Sequence, residues 1–238
     1  MAQQRQNIYI GAPGFRGLNT QDAPVGQDAS FASIAENAVI DSFGRIGARE
    51  GVSLITSSAT PLGSSAGVEV IKEFTDRAGN VLVFSTGNNK IFTGTTSLSN
   101  ITGSLTVNAN NWKIVSFNND VYFFQSGHAP LESVAGSTTL VLLTTTGQNV
   151  PPQGNDVLAA YGRLWSCDVV NNKYTVYWSS LLAGDDWHGG SSGSINLTTV
   201  WPNGYDEVVA LAEHNNFLLV FGKRNVLIFT GASSPSSD

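Results

Sequence analysis

Short apolar runs separated by turn residues recur four times along the chain, and each recurrence has the same internal plan. Val68-Glu69-Val70-Ile71 is followed by Val81-Leu82-Val83-Phe84, and Trp112-Lys113-Ile114-Val115 by Val121-Tyr122-Phe123-Phe124. Val157-Leu158-Ala159-Ala160 is followed by Arg163-Leu164-Trp165-Ser166, and Val208-Val209-Ala210-Leu211 by Phe217-Leu218-Leu219-Val220. Runs of this length, rich in β-branched and aromatic residues, with Asn, Asp and Gly between them, predict β-hairpins. Glu69 to Trp112 spans 43 residues, Trp112 to Asp156 spans 44, and Asp156 to Glu207 spans 51. A period of ~40–50 residues built from short strands is the signature of propeller blades.

Each repeat resolves into three strands. The first predicts strands at 69–75, 81–85 and 90–94, and the second at 112–117, 121–125 and near 131–134. The third predicts 157–161, 163–168 and 174–179, and the fourth 208–213, 217–221 and 226–230. Further strand-like pieces at 105–107, 139–144 and 195–198 supply a fourth, outer strand to the first three repeats. The fourth repeat has no such piece after it. Either residues 52–56 provide the missing strand and close a small ring, or the chain is one part of a longer architecture; the second is favoured. A β-sandwich also alternates and turns every ~8–12 residues, but it gives no reason for a three-strand pattern to repeat four times. The expected fold is therefore all-β, a β-propeller-like succession of about four blades over residues 61–238, closed or incomplete according to those two alternatives.

Residues 1–60 read differently, as an N-terminal arm and hairpin making inter-subunit or docking contacts. Residues 7–10 alternate like a short strand before a Gly- and Pro-containing stretch, and 57–65 are rich in Ser, Thr, Gly and Pro as a linker would be. Phe31, Ile34 and Ala35 stand at i, i+3 and i+4 behind Asp28, which predicts a short helix or turn capped by that aspartate. Ala38-Val39-Ile40-Asp41 and Arg45-Ile46-Gly47-Ala48-Arg49 flank Ser42-Phe43-Gly44 as a hairpin.

Composition narrows the partners. The 238 residues are 41% hydrophobic and only 13% charged, with 25 glycines, a globular β composition with many turns. The net charge is −6, and the twelve Lys and Arg residues form no cluster beyond Lys223-Arg224. Phosphate recognition needs clustered cations, so sequence-reading nucleic-acid binding is not expected. An acidic surface does suit a passage through which DNA slides without sticking, because like charges repel. Cys167 is the single cysteine, so no intrachain disulfide forms, and inside an apolar strand it is expected in the core. The first residues lack an apolar export segment and no run approaches ~18 apolar residues, so neither export nor membrane anchoring is expected.

Candidate chemistry is sparse. His128, His188 and His214 fall in different loops, and none has the spacing that sets two imidazoles on one metal. Asp185-Asp186-Trp187-His188 is the most polar constellation, suggestive of Ca²⁺ or of an acid/base pair on a sugar. Adjacent carboxylates on an extended chain point apart, however, and an interblade turn with Trp187 tucked back as a plug is favoured. Gly189-Gly190-Ser191-Ser192-Gly193 lies between strand pieces with no lysine following, unlike a phosphate cradle. Of the five tryptophans, Trp112, Trp165 and Trp178 are expected in the core, whereas Trp201 before Pro202 is a candidate surface anchor. No catalytic, cofactor-binding or metal-binding residue is assigned, and no cofactor is expected.

Two stretches resemble a family of phage virion proteins. Gly17-Leu18-Asn19, Asp22-Ala23-Pro24, Ala35-Glu36-Asn37-Ala38-Val39-Ile40-Asp41, Gly44-Arg45-Ile46 and Arg49-Glu50-Gly51 look like the opening of tail-nozzle and tail tubular (neck) proteins of tailed bacteriophages. Gly162-Arg163-Leu164-Trp165, Val176-Tyr177-Trp178-Ser179, Asp185-Asp186-Trp187, Ile195-Asn196-Leu197, 206–211 and Leu219-Val220-Phe221-Gly222-Lys223 resemble the blade succession of the same proteins. The resemblance covers most of residues 14–231, weakly over 95–155, and nozzle proteins of short-tailed phages are much longer than 238 residues. It implies a structural, non-enzymatic virion subunit, assembled in the host cytoplasm into a homo-oligomeric ring, a hexamer. That ring would dock below the portal and adaptor, hold tail fibre proteins and conduct DNA during ejection. A carbohydrate-binding propeller using Trp187 or Trp201 is the first rival. A glycan-acting enzyme using Asp185 and Asp206 is the second.

Overall fold

Every repeat forms its own antiparallel sheet in the computed structural model, which describes residues 14–23, 25–28, 30–51, 67–87, 89–107, 111–143, 151–202 and 204–236. The chain divides into two compact units, Met1–Leu54 and Ile55–Asp238. The predicted strand at 7–10, the linker at 57–65 and the closing strand at 52–56 lie outside the described residues.

In the first unit, β1 (Gly17–Leu18) pairs in parallel with β2 (Phe31–Ala32), and β3 (Ala38–Ile40) pairs antiparallel with β4 (Ile46–Ala48). The hairpin is as expected, and of the helix or turn expected behind Asp28 it is the turn that forms. Backbone donation from Arg16 to Ser30 and from Asn19 to Ala32 draws residues 30–32 into a ladder. Asp28 Oδ1 accepts from Ser30 N at 2.7 Å and Ser30 Oγ at 2.6 Å, bracing a turn, and Ile34 is 76% exposed, so no apolar helical face exists to bury. In the hairpin, Asp41 Oδ1 takes the N–H groups of Phe43 and Arg45, while Gly44 supplies the left-handed residue at φ 75°.

The second unit is a run of four sheets, each ordered as it occurs in sequence. The first blade comprises β5 (Val70–Thr75), β6 (Val81–Gly87), β7 (Lys90–Thr93) and β8 (Ser99–Asn100). The second comprises β9 (Trp112–Phe117), β10 (Asp120–Gln125), β11 (Leu131–Ser133) and β12 (Val141–Leu142). The third comprises β13 (Gly154–Ala160), β14 (Arg163–Val169), β15 (Thr175–Trp178) and β16 (Gly193–Asn196). The fourth has three strands among the described residues, β17 (Val208–His214), β18 (Phe217–Gly222) and β19 (Val226–Phe229). The fold is all-β and propeller-like, with no α-helix among the described residues.

Local chemistry accounts for the tight turns. Asn118-Asn119, Tyr161-Gly162 and Asn215-Asn216 each carry two consecutive positive φ angles, the two-residue turn whose twist matches that of paired strands. The outer strand of the first blade differs from expectation, lying at Ser99–Asn100 rather than 105–107. Ile101 N donates to Ile91 O and Ile91 N to Thr102 Oγ1, which ties this earlier segment to β7. Leu105 and Val107 instead pack onto the adjoining core.

The core lies between blades, not within them. Register places Phe123 beside Ile114 and Leu131 on one face of the second sheet, and these meet Phe74, Phe84 and Ile91 of the first. The opposite face, with Tyr122 and Phe124, meets Val157, Leu164 and Trp187. Trp165, Cys167 and Trp178 of the third blade meet Leu211, Leu218 and Val220 of the fourth. Inner strands β5, β9, β13 and β17 are therefore neighbours in chain order, and no comparable packing joins β17 back to β5 among the described residues. The blades form an arc, with exposed apolar residues on the outer faces of its first and last sheets.

Candidate functional site

The residues singled out in the sequence are distributed over separate junctions of this arc. Asp186 lies in the loop between β15 and β16, where its Oδ1 accepts from His188 N and Gly189 N at 3.1 Å each. A side-chain bond from Ser180, with these backbone donors, holds its carboxyl below the usual carboxylate range. Trp187 is buried, donates through Nε1 to Gly184 O at 2.8 Å, and meets Phe124 edge-on at 6.2 Å. The loop is thus pinned into the second–third blade junction, with Asp186 bracing its backbone and Trp187 as the plug.

Asp206 occupies a different place, immediately before the fourth blade. Its Oδ1 accepts from Glu207 N at 2.9 Å and Lys223 N at 3.1 Å, and its Oδ2 from Arg224 N, Asn225 N and Asn225 Nδ2 at 3.0 Å each. Burial pushes this carboxyl up, but the combined donors prevail and it lies below its usual range. Asp206 therefore organises the β18–β19 turn. Gly222 makes room for it: a Cβ there would stand 2.4 Å from Asp206 Oδ2. Asp185 and Asp206 are not brought to one cleft, since Asp185 acts electrostatically on Tyr122 and Glu132 at the second–third junction.

The histidines remain apart. His128 is in the β10–β11 turn, His188 in the loop after β15, and His214 at the end of β17 beside Asn215. No group of three or more His, Cys, Asp or Glu arranged to hold a metal occurs among the described residues. Cys167 is fully buried, and burial drives its thiol pKa well up, with Asp156 and Asp168 adding to the rise, so it is neither a thiolate nor exposed to a reagent. Trp112, Trp165 and Trp178 are buried as expected. Trp201 corrects the surface-anchor expectation: it is 4% exposed, packed into the third–fourth core beneath Gly222.

Two features escaped sequence reasoning. Glu132 is 8% exposed and sits directly opposite Tyr122 across β10–β11. Burial raises its carboxyl pKa, the Tyr122 hydroxyl bond opposes the rise, and the charges of Asp185 and Asp120 add to it. The second is an apolar cavity of about 260 Å³ at the outer part of the third–fourth junction, walled by Trp178, Ile195, Val220 and Phe229 and by the segment after β19. The indole N–H groups of Trp165 and Trp178 already bond Ala160 O and Ser191 O, so these rings present carbon to the cavity. Only strand register could reveal the first feature, and only the missing outer strand hinted at the second.

No family model matches the chain. No curated protein matches it either. Among solved structures it is similar to the computationally designed Ika4 protein, with 13% identity and a TM-score of 0.44 over 76% of this chain and 99% of that one. It is also similar to the computationally designed Ika8 protein, with 14% identity and a TM-score of 0.42 over 83% of this chain and 57% of that one.

Proposed function

We propose that this chain is a structural virion protein of a tailed bacteriophage, a subunit of the tail nozzle or neck ring that conducts DNA and anchors tail components. The observation that carries the proposal is the string of residues 17–51 followed by the blade succession of 162–223, the two stretches that resemble that family. The site geometry supports it. Asp185 and Asp206, the carboxylates of the glycan-acting alternative, lie at different junctions, and Asp186 and Asp206 are occupied by the backbone of their own loops. In this proposal the chain performs no catalysis; it presents rigid sheets to its neighbours, namely copies of itself, the portal and adaptor, and tail fibres. Its excess of acidic residues lets DNA pass without adhering.

The carbohydrate-binding alternative placed its aromatic platforms at Trp187 and Trp201, and both are buried. The decisive experiment combines light scattering of the purified chain with peptide mapping and imaging of the phage particle. A ring-sized assembly and virion peptides located at the tail or neck are the expected results. A monodisperse monomer together with absence from particles would overturn the proposal.

A further inference from the structure

The two ends of the arc are complementary, and the junctions inside the chain show how. Register puts Ala210, Phe221 and Val226 side by side, and likewise Ala212, Leu219 and Ile228, on the face of the fourth blade turned away from the third. Phe217 adds to this face, and Phe217, Val226 and Ile228 are 38%, 51% and 65% exposed. The corresponding forward faces of the other blades are equally apolar and are covered by the blade that follows. At the other end, the backward face of the first blade carries Ile71, Val81 and Val83 on its inner strands, with Ile71 and Val81 more than half exposed, while Ser85 and Phe92 further out on the same face are buried.

A tether accompanies blade packing at two described junctions. In the second blade, Gly127 N of the β10–β11 turn donates to Gln153 O, the residue directly before β13, at 3.5 Å. In the third blade, Lys173 of the β14–β15 turn accepts through its carbonyl from Val208 N at 2.7 Å, next to Glu207. Glu207 is held below the usual carboxylate range first by its bond from Lys223, and the charge of Lys173 contributes further. The same two positions at the open ends are the β18–β19 turn, with exposed Arg224, and Glu69, exposed directly before β5. Among the described residues neither Arg224 nor Glu69 is in an ion pair. Asp206 fixes the turn that displays Arg224.

We infer that the fourth blade of one copy docks on the first blade of a second copy, head to tail, with the apolar face of β17–β19 covering Ile71, Val81 and Val83 and Arg224 meeting Glu69. Such a contact is heterologous: each copy offers one face and accepts another, and the assembly closes into a ring when the rotation per copy allows. This inference rests on the ring-forming reading above and specifies which surfaces make the ring.

The test uses the full chain carrying Glu69→Cys or Arg224→Cys, mixed in equal amounts and oxidised, with light scattering of the wild type alongside. A disulfide-linked dimer from the mixture, and none from either variant alone, is the expected result. Ile228→Lys is expected to weaken self-association by about tenfold or more while leaving the melting temperature of the dilute, dissociated chain unchanged, because the residue is exposed in the single chain. A wild-type assembly with no cross-link overturns this docking mode and leaves the ring-forming proposal standing. A wild-type monomer overturns both this docking mode and the self-assembling ring. An intrachain link in a monomeric Glu69→Cys/Arg224→Cys double variant overturns it in favour of closure within one copy.

Discussion

Phe123→Ala tests whether the stability of this chain resides between its blades. Phe123 is fully buried in the second blade and meets Phe84 of the first at 5.5 Å with planes 82° apart, an edge-to-face pair across the junction. Truncating a fully buried phenylalanine costs about 3–5 kcal/mol, part transfer and part cavity. The aromatic pair contributes roughly 0.5–1.5 kcal/mol of that beyond area burial. For a chain of this size each kcal/mol lowers the melting temperature by about 2–4 °C, so the variant should melt on the order of 10 °C lower. Urea unfolding followed by tryptophan fluorescence on wild type, Phe123→Ala, Phe84→Ala and the double variant gives the coupling directly. A coupling of about 0.5 kcal/mol or more is expected. Strict additivity of the two losses, or a loss below about 1 kcal/mol for Phe123→Ala, would refute the claim that the core joins blades.

Three further outcomes follow from single residues. The folded state holds the Glu132 proton more tightly than the unfolded chain does, so its contribution is largest below the ordinary value of 4.5 and is lost as pH rises through the raised folded value. Glu132→Gln should therefore gain stability relative to wild type as pH increases across that window, measured by paired melting curves; a gap that shrinks with pH would contradict the assignment. Cys167 should resist a thiol reagent in the folded chain and react once per chain in denaturant, and fast native labelling would exclude its burial. Gly193→Ala places a Cβ 2.7 Å from the Trp178 ring, so it should destabilise by about 1–3 kcal/mol through overpacking, read by urea denaturation, and a neutral result would show that the ring can shift.

Much of the architecture was legible because hairpins are local. The apolar run Val121-Tyr122-Phe123-Phe124 and turn pairs such as Asn118-Asn119 specify strands and their reversals within a few residues. Where competition was non-local, pattern misled. Phe31, Ile34 and Ala35 have helical spacing, yet pairing of residues 30–32 with the chain around Gly17–Leu18 takes up the backbone groups a helix would need. Trp201 next to Pro202 looked like a surface residue because nothing nearby in sequence announces the space left by Gly222.

The sequence by itself determined four meanders of short strands and their turns, since a period of two records side-chain direction directly. Only the tertiary structure decided which of their faces meet. Asp185 and Asp206 form no catalytic pair because blade stacking carries them to different junctions, and Asp186 and Asp206 brace their own loops. The same stacking stops at the fourth blade, leaving β19 as the edge strand of its sheet among the described strands and Phe217, Val226 and Ile228 exposed on its forward face. An apolar run shows that such a face wants covering; packing in three dimensions shows that, among the described blades, none covers it.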